Sequence, residues 1–298
     1  MVTGSKTIGK NIISVSRRTD IPCFYSSWFR HSLEKGFVVV ENPFNGYKFN
    51  VSLKPQDVKG FVFWSRYPKG LIQILDFIDN KFGPNHYINF TINDYPERLE
   101  PRKPKLEKVF DLVSILFDKY GENYIKWRFD PIIVSNITPK EYILEKFLKL
   151  CKKLERKTKV CITSFVDLYS KVKRRMLQNR IILDDLDFEE KRIIIDKLRI
   201  IANEHGIELR LCCENKIAKE LTIPTASCVN PFQFELDSFE ELRVAPTRKD
   251  CTCYKSVDIG FYNTCLSGCL YCYSIKSYSN SLKNYKKILA SKANFIQF

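Results

Sequence analysis

Cys265, Cys269 and Cys272 stand in the run Cys265-Leu266-Ser267-Gly268-Cys269-Leu270-Tyr271-Cys272, three thiols within eight residues and an aromatic before the last. A loop this short can aim all three sulfurs at one point, and thiolates on short loops are how proteins hold iron–sulfur clusters. A structural zinc needs a fourth ligand, which the triplet does not itself supply. With three ligands, a four-iron (4Fe-4S) cluster keeps one iron open to a small molecule. Five of the eleven cysteines lie between Cys251 and the carboxyl end, so the thiols are concentrated. Cys251 and Cys253, joined by Cys213, Cys228 or Cys212, are candidates for a second metal or cluster. Cys151 and Cys161 have apolar neighbours and read as small core residues, while Cys23 reads either way.

The chain has 298 residues, a formal net charge of +15 and a sequence pI near 9.2. That length can bury one large core. No apolar run is long enough to span a bilayer, and residues 1–11 lack the apolar centre of a secretory signal, so no membrane partner and a cytoplasmic location are expected. Thiols there are reduced, which favours ligands over disulfides. The charge suits a nucleic acid or another polyanion. It suits equally a chain rich in Lys, Ile and Asn throughout, with its basic residues spread over helices. His31, His86 and His205 are the three histidines, and none ends an expected strand. Histidine-based hydrolysis and a histidine-rich zinc centre are therefore not expected, which leaves difficult chemistry to a cofactor.

Apolar runs rich in β-branched and aromatic residues recur at 12–16, 60–65, 87–92, 125–130, 160–166, 208–213 and 256–262, separated by stretches of helical periodicity. Seven such units predict a single-domain α/β fold over 1–298, a parallel (β/α) barrel. Two further runs around Asn42-Pro43-Phe44-Asn45-Gly46 predict a β-hairpin insertion at 37–53, a candidate lid, and 251–275 forms a C-terminal cluster loop. Helices are expected at 106–120 before Gly121, at 188–205 before Gly206, and to about 156 from a capping box of Thr138 and Glu141 around Pro139. The tail after Ser274 should begin as a helix.

In a parallel barrel the functional groups gather where strands end. Those places hold Arg17, Arg18, Thr19 and Asp20, then Arg128 and Asp130, then Ser164 and Asp167, then Cys213 and Glu214, and last the three-cysteine loop. Arg128 and Asp130 share a face and either pair to close a barrel end or bind a ligand. Of Arg17 and Arg18, either one meets an anion such as a carboxylate or phosphate, or both are merely solvated. Two other functions stay open: a non-catalytic nucleic-acid-binding protein with a metal-stabilised C-terminal loop, and a metal-dependent enzyme acting on nucleic acid through Asp20, Asp130 and Asp167.

The triplet with Tyr271 before its last thiol resembles the cluster loop of radical S-adenosylmethionine (radical SAM) enzymes. The resemblance implies that Cys265, Cys269 and Cys272 hold a 4Fe-4S cluster, that its open iron chelates S-adenosylmethionine, and that Tyr271 lies near the adenine. It also implies an electron-donor protein, an unidentified substrate, and orienting roles for Arg17, Arg18, Asp20, Arg128 and Asp130. The loop follows the last strand rather than the first, which implies a circularly permuted barrel. The usual Gly-Gly-Glu segment is missing, and Glu214 or Asp20 is the candidate substitute, with Ser164 as a further cofactor contact. Over its whole length the chain resembles an uncharacterised bacterial family, domain of unknown function 1848. The segments that carry this are Ser16-Arg17-Arg18-Thr19-Asp20-Ile21-Pro22, Phe63-Trp64, Trp127-Arg128-Phe129-Asp130-Pro131, Ser164-Phe165-Val166-Asp167-Leu168-Tyr169 and Asp258-Ile259-Gly260.

Overall fold

The structure, a computed structural model, describes residues 11–234 and 243–290. The leader reading for residues 1–10 and the carboxyl end of the single-domain span lie outside the described residues. Nine strands are present: β1 Asn11–Val15, β2 Phe37–Glu41, β3 Lys48–Ser52, β4 Val58–Ser65, β5 His86–Thr91, β6 Ile125–Arg128, β7 Val160–Thr163, β8 Glu208–Leu211 and β9 Val257–Asp258. Seven of them pair in parallel in the order β8-β7-β6-β5-β4-β1-β9. Each new strand from β4 to β8 adds beside its predecessor, so the sheet winds one way.

All seven expected strands form, in shorter versions. The residues beyond 128, 163, 211 and 258 leave the ladder and become the loops that carry polar side chains. The strands are buried on both faces, as parallel strands covered by helices are; all four residues of β7 and five of six in β5 are buried. Trp127 anchors the core, fully buried, stacked 5.1 Å from Phe147, its indole N–H donating to the Ile92 carbonyl at 3.0 Å.

A closed barrel is not seen as a backbone ladder. β8 and β9 lie at opposite ends of the strand order and share no ladder among the described residues. The segment 225–229 runs between them instead. Thr225 bridges Leu211 in parallel, and the Val229 carbonyl accepts from the Tyr254 N–H at 3.1 Å.

The helices Leu106–Tyr120 and Phe188–Glu204 end as expected, with Gly121 at φ 78° and Gly206 at φ 67°. The helix Lys140–Leu154 forms, but without the capping box expected of Thr138 and Glu141. The Thr138 hydroxyl donates instead to the Ile133 carbonyl at 2.7 Å, since that carbonyl is buried and needs a donor. A capping box does form at Asp187 and Glu190. The tail helix is Tyr278–Ala290.

The β2-β3 hairpin is an antiparallel pair. It leaves the chain where the helix Ser26–Lys35 has returned to the amino end of the sheet, just before β4 begins. That position is opposite the strand ends bearing the cysteine loop, so the hairpin is no lid over them. No helix among the described residues is long and apolar enough to cross a membrane.

Candidate metal centre

The cysteine loop is tied to the first strand through one carboxylate. Asp258, at the end of β9, accepts hydrogen bonds from Ser14 Oγ at 2.8 Å, Ser16 Oγ at 2.5 Å, the Arg17 N–H at 2.8 Å and the Gly260 N–H at 3.0 Å. Arg17 and Arg18 lie 3.6 and 3.9 Å from it. The anion expected near these arginines is therefore in the first place the chain's own. Only glycine fits at 260, because a Cβ there would fall on Ser16 Oγ and lie 2.5 Å from Ser16 Cβ. Arg17 keeps one buried nitrogen, Nη1, with no hydrogen-bond partner.

From this anchor the chain enters the triplet. Gly268 turns at φ 67°, and Arg175 holds the loop from below, donating to the carbonyls of Leu270 at 3.0 Å, Ile275 at 2.7 Å and Cys272. Burial pushes the Cys265 thiol up to about 12, with Cys272, Asp20 and Cys269 adding to the rise. Burial likewise raises Cys269 to about 11, against the opposing charge of Arg66. The three sulfurs thus share one electrostatic neighbourhood. Arg66 donates to Cys269 Sγ at 2.9 Å and lies 2.5 Å from Glu100, whose side chain has no exposed surface. Tyr271 donates to the same carboxylate at 2.5 Å. Asp20 sits under the loop, accepting from the backbone of Cys23 at 3.0 Å and Arg66 at 2.9 Å; burial raises it to about 6 despite these bonds.

The other expected residues form a second group. Arg128 pairs with Asp130, donates to Cys228 Sγ at 2.7 Å and lies over Trp64 at 5.2 Å. Ser164 donates to Asp130 at 2.6 Å, and Glu214 accepts from the Phe165 N–H at 3.0 Å. Arg248 pairs with Asp167 and donates to Cys213 Sγ at 3.0 Å. Cys212, Cys213, Cys228, Cys251 and Cys253 all lie here. Glu214 and Ser164 accordingly stand with this group rather than beside the triplet. Asp20, Asp130 and Asp167 each have their own basic or polar partners and do not gather as an oxygen-ligand set.

Arg66, Glu100 and Arg248 escaped the sequence reading. Arg66 directly follows β4 and had a strand-end signal; Glu100 and Arg248 lie in loops where no periodicity marks them. Among the described residues no three or more His, Cys, Asp or Glu side chains already converge as an assembled metal shell. All eleven cysteines are free thiols. The donor chemistry of the triplet nevertheless fits an iron–sulfur cluster: three clustered thiols on one loop, with a guanidinium positioned to stabilise a thiolate.

No curated protein matches the chain. Among solved structures it is similar to a candidate phosphomethylpyrimidine kinase from Bacteroides thetaiotaomicron, at 10% identity and a TM-score of 0.19. That match covers 71% of this chain and 65% of the other, and at such a score it carries no argument about fold or activity. The family model described as domain of unknown function (DUF1848) matches residues 12–274, from β1 through the end of the cysteine loop, and the chain belongs to that family.

Proposed function

We propose that this chain is an iron–sulfur enzyme in which Cys265, Cys269 and Cys272 hold a 4Fe-4S cluster beside a binding place for S-adenosylmethionine, on a barrel-like, circularly permuted sheet. The observation that carries the reading is the gathering of three buried or half-buried thiols on one loop, with Arg66 donating to Cys269. Such a cluster, when bound, supplies the electron for reductive cleavage of S-adenosylmethionine. The chain's own residues do the rest. Arg66 offsets thiolate charge while Glu100 holds Arg66 in place. Arg175 fixes the loop backbone. Arg17, with Nη1 unpartnered and its carbonyl accepting from Tyr273 at 2.8 Å, is the available cation for a ligand carboxylate. Asp20 is the nearest buried carboxylate for an amino group.

Anaerobic reconstitution with iron and sulfide tests this. About four irons per chain and a broad brown absorption are expected, followed by 5′-deoxyadenosine when reductant and S-adenosylmethionine are added. A properly formed cluster that yields no 5′-deoxyadenosine would refute the enzymatic reading while leaving the cluster site standing.

A further inference from the structure

The seam between β8 and β9 is where three chain segments meet, and all three bring cysteine. Cys212 and Cys213 directly follow β8, Cys228 lies on the bridging segment, and Cys251 and Cys253 lie on the stretch leading into β9. Their sulfurs form a closed ring. Cys213 contacts Cys251, Cys251 contacts Cys253, and Cys253 contacts Cys228, each through a thiol hydrogen bond. Cys228 lies 3.9 Å from Cys212, and Cys212 lies 3.7 Å from Cys213.

The local backbone is bent to allow this. Successive side chains on a strand point to opposite faces, which would separate Cys212 from Cys213. Cys213 instead takes φ 62°, a left-handed conformation uncommon outside glycine, and the two sulfurs end on one side. Two guanidiniums then aim at the ring: Arg128 at Cys228, 2.7 Å, and Arg248 at Cys213, 3.0 Å. Their charges are already matched by Asp130 and Asp167, so what they offer the sulfurs is N–H donors of the kind that support metal-bound thiolates. Tetrahedral zinc with metal–sulfur bonds of about 2.3 Å spaces its sulfurs about 3.8 Å apart, close to the ring's spacing, whereas a four-iron cluster holds its thiolates at the corners of a larger body.

We propose that Cys213, Cys228, Cys251 and Cys253 bind one zinc-type divalent ion that staples the seam between β8 and β9. Cys213 and Cys228 are the ring members with short arginine donors; Cys251 and Cys253 are its two members from the β9 side. Cys212 has only a 3.7 Å contact to Arg248 and stands beside the ion without binding it. This site is independent of the triplet.

The full chain and a C265A/C269A/C272A variant, purified with zinc present, separate the two sites by elemental analysis. About one zinc per chain is expected in both, retained in C212A and lost in C251S/C253S. Cobalt in place of zinc, added to the triplet-free variant, should show the visible bands of a tetrahedral four-thiolate site, a readout that does not depend on whether C251S/C253S folds. Iron with a brown chromophore in the triplet-free variant, absence of the cobalt bands, or loss of zinc from C212A would overturn the assignment.

Discussion

Replacing Arg66 with methionine removes the cation between Cys269 and Glu100. Arg66 Nη2 lies 2.5 Å from Glu100 Oε2, and the Glu100 side chain is completely buried. Neither that oxygen nor Arg66 Nε has an aligned hydrogen-bond partner, so the contact is chiefly coulombic. At charge centres about 4 Å apart and an effective dielectric of about 20, the attraction is about 4 kcal/mol. Breaking a buried pair from one side costs about 3–5 kcal/mol, because the remaining charge is left buried and unmatched. R66M should therefore lose about 3–5 kcal/mol in urea unfolding of the metal-free, reduced chain. E100Q should lose a comparable amount, although Tyr271 can still donate to the new amide oxygen. The double variant R66M/E100Q should lose much less than the sum, since neither charge then remains. Strictly additive losses, or an R66M cost below about 1 kcal/mol, would refute a buried, coupled pair at this place.

Gly260→Ala should destabilise by about 3–5 kcal/mol, combining overpacking against Ser16 with loss of the Ser16 bond to Asp258, and urea unfolding reads this directly. Trp127→Ala should cost about 3–5 kcal/mol in the same assay, through lost burial and an unfilled cavity beside Phe147. At Asp79, burial favours the neutral acid, but hydrogen bonds from His86, Tyr120 and Lys119 win and hold the carboxyl down to about 2. A depressed carboxyl gives stability that is complete above about 4 and lost as pH falls through about 2; Asp79→Asn should flatten the stability–pH curve in that window, and an unchanged curve would show that the pairing contributes nothing. Cys269→Ala should reduce reconstituted iron from about four per chain to below one, and full retention would show that the triplet does not hold the cluster.

Local features were legible in the residues. Alternation of apolar runs with helical stretches located all seven parallel strands, because parallel strands buried on both faces are continuous apolar runs. Gly121 and Gly206 marked helix ends because their positions need positive φ. The clustering of Cys265, Cys269 and Cys272 needed no tertiary information, since eight residues cannot carry three thiols far apart. Thr138 misled for a physical reason: a hydroxyl that can cap a helix can also satisfy a buried carbonyl, and packing decided for Ile133.

Contacts between distant residues were decided only by the folded chain. Nothing near Arg66 in sequence marks it as the partner of Cys269 and Glu100, and nothing near Asp258 marks it as the acceptor for Ser14 and Ser16. The five-sulfur ring assembles from positions 212 to 253 because the winding of the sheet ends β8 beside the segment entering β9. Composition and spacing along a chain report what each short stretch can do; which stretches meet depends on long-range packing, where many weak contacts together choose one arrangement.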